Sequence, residues 1–83
     1  MAEKFVRKVK KVIDGDTLVV SSPVRGSKYI RLAGVHAPEK GQPGYQTAKT
    51  NLRSRVGGKK VSVTPVGKSY GRTVAHVRKV RKK

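Results

Sequence analysis

The sequence predicts a mainly β protein: a five-stranded barrel in the order β-β-β-α-β-β, with its one helix between strands 3 and 4. Three observations carry this. Short β-branched runs recur between turn residues, one window alone has helical spacing, and a further pair of strand-like runs follows that window. Phe5 to Ile13 opens the series, with Val6, Val9, Val12 and Ile13 alternating imperfectly with lysines. Asp14-Gly15-Asp16 is a tight turn, and Thr17 to Ser21 (TLVVS) is a short strand. Pro23 to Gly26 turns again, and Lys28 to Val35 (KYIRLAGV) completes a three-stranded meander.

Ala37 to Gly44 holds two prolines and two glycines and reads as a loop. Tyr45, Ala48, Leu52 and Val56 then repeat at steps of three, four and four, which marks one apolar helix face, with Lys49 and Arg53 on the solvent side. Gly57-Gly58 is expected to end this helix through a left-handed cap. Lys60 to Val66 sets Val61 and Val63 against Ser62 and Thr64 as a half-buried strand. Gly67 to Gly71 reads as a loop, and Arg72 to Val80 as the last strand. Closure into a barrel of the OB type leaves fewer bare strand edges than an open sheet would.

At 83 residues the chain is expected to form one domain spanning 1–83, with a thin core. It has no cysteine, which excludes disulfides, thiolate metal sites and a cysteine nucleophile. The start lacks an apolar signal-like region, and no apolar run approaches a membrane span, so a cytoplasmic location and no membrane partner are expected.

Charge is the strongest compositional signal. Twenty-one Lys and Arg face four Asp and Glu, for a net charge of +17 with neutral histidines. Such a field repels itself in the compact state and calls for a polyanion. Nucleic acid fits, because every neutralised phosphate releases condensed counterions. A membrane-surface helix does not, since the charge is spread along the chain and Trp is absent. The expected partner is DNA or RNA, single strands favoured, bound by a monomer. Basic ends (Lys8, Lys10 and Lys11; Arg78, Lys79, Arg81, Lys82 and Lys83) are suited to tracking phosphates.

The four acidic residues are Glu3, Asp14, Asp16 and Glu39. Three of them fall in two short segments, Ile13-Asp14-Gly15-Asp16-Thr17 and Arg31-Leu32-Ala33-Gly34-Val35-His36-Ala37-Pro38-Glu39, to which Tyr70-Gly71-Arg72 adds a third. Phosphodiester hydrolysis needs charge on the phosphate oxygens and a group that positions or deprotonates water. Asp16 offers a hard oxygen ligand for a divalent cation. Glu39 is the candidate for handling water. Arg31 and Arg72 carry planar forks suited to phosphate. An Asp-Gly hairpin turn would explain Asp14 and Asp16 without chemistry, but not the other three.

These IDGDT, RL-x-GV-x-x-PE and YGR segments resemble, in order and spacing, those of the staphylococcal nuclease (thermonuclease-like) family, from about Val9 to Val77. The resemblance implies an OB barrel and cation-dependent cleavage of DNA and RNA. By position it implies that Asp16 is a direct ligand of Ca2+, with Asp14 and Thr17 in support. It implies that Arg31, Glu39 and Arg72 are catalytic, and that Arg31, Tyr70 and Arg72 contact nucleic acid, with Lys68 beside them. His36 stands where the family has its second carboxylate ligand, and Ala37 where a threonine gives a backbone oxygen. Imidazole is a poor ligand for a hard ion, so Ca2+ affinity should fall, or the preference should move to Mn2+ or Mg2+. The family's C-terminal helices would follow the fifth strand and are absent from this sequence. The alternative is a barrel of the same type that binds nucleic acid but is weak or inactive as a catalyst.

Overall fold

The computed structural model describes residues 4–80; Glu3 and the basic residues Arg81, Lys82 and Lys83 lie outside that range. The elements are β1 (Phe5–Asp14), β2 (Thr17–Val24), β3 (Ser27–Leu32), α1 (Tyr45–Val56), β4 (Lys60–Ser69) and β5 (Arg72–Lys79). The strands close into a barrel in the spatial order β1-β2-β3-β5-β4. All neighbours are antiparallel except β3 and β5, which run parallel with Arg31 opposite Val74. The expected β-β-β-α-β-β barrel is therefore the fold observed.

Several boundaries differ from the sequence reading, for local reasons. β2 runs on to Val24 and pairs with Ser27, so the turn is only Arg25–Gly26. β4 likewise runs on to Ser69 and pairs with Arg72, leaving only Tyr70–Gly71. Both central residues have positive φ in each turn (51° and 84°; 49° and 76°). That is the backbone a two-residue hairpin needs to follow strand twist. The prolines are tolerated because Pro23 is exposed beside a register shift, and Pro65 lies beyond the β1–β4 pairing, next to another. β3 ends at Leu32, before the Gly34 turn, rather than at Val35.

The imperfect alternation of β1 has the same kind of cause. A register shift between Val9 and Lys11 lets Val9 and Val12 both face inward, while Val6 is exposed. They join Leu18, Val20, Ile30, Val61, Val63 and Ala75 in the core. Leu52 and Val56 close one side of that core from α1, so the helical spacing read in the sequence is the buried face. Arg53 and Arg55 in the last turn complement the helix dipole. The left-handed residue after the helix is Gly58 rather than Gly57.

Gly15 positions the helix. A Cβ there would come within 2.7 Å of the Ala48 Cβ and 2.8 Å of the Ala37 Cβ. The β1–β2 turn therefore touches both α1 and the loop before it, a contact only glycine permits. Among the described residues no helix is long and apolar enough to cross a membrane.

Candidate nucleic-acid cleft

The β1–β2 turn, the end of β3, the Ala37–Lys40 loop, the start of α1 and the first residue of β5 meet around a cleft of about 630 Å3. Asp14, Asp16, Arg31, Glu39 and Arg72 all line it, as does Ala37. Residues scattered over most of the sequence are thus gathered on one rim.

Each is held by a definable contact. The Leu32 N–H donates to the Asp16 carbonyl at 2.7 Å, fixing the turn against β3. The register that sets Thr17 opposite Arg31 brings the guanidinium to the turn, where Arg31 Nη2 lies 3.7 Å from Asp16 Oδ2. The Thr17 hydroxyl, from a buried residue, donates to Asp16 Oδ1 at 3.0 Å. At 3.7 Å and part exposure, the Arg31–Asp16 pair adds little stability. It leaves the guanidinium donors able to take a phosphate. Glu39 is carried on a turn clamped both ways: its N–H donates to Gln42 Oε1 at 2.8 Å, and its carbonyl accepts from the Gln42 N–H at 2.9 Å.

Sequence reasoning missed Tyr45, Lys40 and Lys49, which also line the cleft. The helical spacing places Tyr45 on the apolar face of α1, but its hydroxyl end is polar and reaches the acidic turn. Its hydroxyl donates to Asp14 Oδ1 at 2.7 Å and lies 3.2 Å from the Ile13 carbonyl. The bond to the Asp14 carboxylate, then partial burial, then the carboxylate charge raise the Tyr45 pKa above its ordinary value. The Lys49 ammonium stands 6.0 Å from the Tyr45 ring centroid. The signal was available: Tyr45 opens the helix that the Pro- and Gly-rich loop delivers to the acidic turn.

Other expected residues lie apart from the cleft. His36 lines a separate groove between α1 and β5, although its neighbour Ala37 lines both. Lys68 lines a small depression with Arg25 and Pro65. Tyr70 is 99% exposed at its turn. It lines a shallow concavity with Thr17 and Tyr29 that shares Asp14 and Arg72 with the cleft.

Among the described residues, no three His, Cys, Asp or Glu side chains are grouped so as to hold a metal ion. Asp14 is engaged by Tyr45, and His36 faces elsewhere. The donor set does not fit a closed calcium cage of six to eight oxygens.

No family model matches the chain. Over 76 residues it is 41% identical to a protein of Haemophilus influenzae described as an uncharacterized endonuclease. That alignment covers 90% of this chain and 43% of the relative, so the chain spans less than half the length of the protein it matches.

Proposed function

We propose that the chain is a phosphodiesterase of the staphylococcal nuclease type that hydrolyses DNA or RNA. The observation that carries this reading is the convergence of Asp16, Arg31, Glu39 and Arg72 on one cleft in a protein of net charge +17. The likeness to a relative described as an endonuclease supports it.

Arg31 and Arg72 grip the non-bridging oxygens of the scissile phosphate and stabilise the charge that grows on them as the bond order at phosphorus rises. Glu39 accepts a proton from water as the water oxygen bonds to phosphorus, and the departing oxygen takes a proton from solvent. Asp16 orients Arg31 across the cleft mouth. A divalent cation bound at Asp16, Mg2+ or Mn2+ more readily than Ca2+, would supply further charge neutralisation at the phosphate.

Digestion of a labelled single-stranded oligonucleotide with Ca2+, Mg2+ and Mn2+ in turn tests the reading. Cleavage should occur in the parent and be lost in Glu39→Gln and Arg72→Ala. Equal cleavage in those variants would overturn it.

The second reading, a nucleic-acid-binding module without catalysis, is favoured by one observation: no three-residue ligand group is present among the described residues. It requires salt-sensitive oligonucleotide binding, an intact oligonucleotide after prolonged incubation with each metal, and no effect of metal on affinity.

A further inference from the structure

The second concavity of the barrel lies between α1, the Gly34–Pro38 loop and β5, and at about 1020 Å3 it is larger than the cleft. Its cationic residues are Arg55 from the last turn of α1 and, from the end of β5, the exposed Arg78 and Lys79, whose side chains leave opposite faces of the strand. His36 and His76 line it as well, and no Asp or Glu does. The lining between the cations is apolar, with the exposed Val35 and the half-buried Val77 lying over the core residues Leu32, Leu52 and Val56.

Ala37 and Pro38 line both this groove and the cleft, so the two are joined across a single short ridge. Cationic groups beside an apolar lining match a single strand, whose phosphates seek the cations and whose unpaired bases carry apolar faces. A duplex hides those faces.

We propose that this groove is an extended subsite for a single-stranded polynucleotide whose scissile phosphate lies in the cleft. The strand crosses the Ala37–Pro38 ridge and sets its next phosphates against Arg55 and the cationic end of β5. The proposal rests on the nucleic-acid reading of the cleft but not on catalysis there.

Binding of a deoxythymidine trinucleotide and a nonamer, followed by NMR and fluorescence anisotropy with a chelator present so that nothing is cleaved, tests it. The nonamer should shift the amide signals of Arg55, Arg78 and Lys79, and the trinucleotide should not. The double variant Arg55→Ala/Arg78→Ala should weaken nonamer binding about tenfold at low salt. It should also make the salt slope shallower by about 1.4, at about 0.7 per lost phosphate contact on a single strand, and leave the trinucleotide unaffected. Arg55→Lys/Arg78→Lys, which keeps the charge, should retain most of the nonamer affinity.

Equal loss on both lengths, or none on the nonamer, overturns the subsite. Groove-dependent binding of a nonamer that no metal allows to be cleaved supports the subsite while overturning the nuclease reading. Cleavage of a nonamer whose binding ignores the groove variants does the reverse.

Discussion

The hydroxyl of Tyr45, the first residue of α1, donates a 2.7 Å hydrogen bond to the carboxylate of Asp14, the last residue of β1. This one bond ties the helix to the acidic turn and takes one of the cleft's three carboxylates out of play as a free ligand. Tyr45→Phe, which keeps the ring and removes this bond, should lower the urea unfolding midpoint.

The same pair gives a pH signature. The folded pKa of Tyr45 is raised, so folding favours the neutral phenol. The associated stability is complete below the unfolded tyrosine value of about 10 and is lost as pH climbs through the folded value. In an ultraviolet phenolate titration, the Tyr45 component should move to lower pH in Asp14→Ala. An unchanged titration in that variant would contradict the bond.

Gly15→Ala should destabilise the fold by about 1–3 kcal/mol, the common cost of overpacking. Both neighbours of the added methyl, Ala48 and Ala37, are closer than real Cβ contacts allow. Relief requires shifting α1 or the loop that carries Glu39. The urea midpoint should therefore fall, and any cleavage activity should fall with it even where the variant is fully folded.

The buried Thr73 hydroxyl donates to the Val24 carbonyl at 2.8 Å, tying β5 to the end of β2. Thr73→Val keeps the shape and removes that bond, at a cost of about 0.5–1.5 kcal/mol. Thermal melting of the two forms at matched salt checks this.

Arg31→Lys separates charge from geometry. A lysine keeps the positive charge but not the two-pronged fork. If the fork stabilises the developing charge, turnover should fall by a factor approaching the 10²–10³ typical of losing one stabilising donor, with substrate affinity changed far less. Steady-state kinetics on a short oligonucleotide would separate the two effects.

How legible these features were depended on whether they were local. Leu52 and Val56 could be read as a buried face because helical spacing is set by the helix itself. The turns at Arg25–Gly26 and Tyr70–Gly71 were read too long, because their positive-φ geometry places a non-glycine residue where glycine is usual. The cleft membership of Arg31, Glu39 and Arg72 could be suspected from motif order. The turning of His36 into the neighbouring groove could not, since Ala37, next to it in sequence, lines both concavities. The role of Gly15 was hidden altogether, because it is defined by what comes to touch it.

The parallel pairing of β3 with β5 has a consequence in time as well as in space. Arg31 leaves the ribosome early and Arg72 only after the helix and β4 have followed. Until β5 docks, β3 has an open edge and the two guanidiniums belong to separate parts of a growing chain. The joint grip proposed for Arg31 and Arg72 therefore depends on the β3–β5 seam, because a barrel open along that seam would not present the two guanidiniums to one cleft.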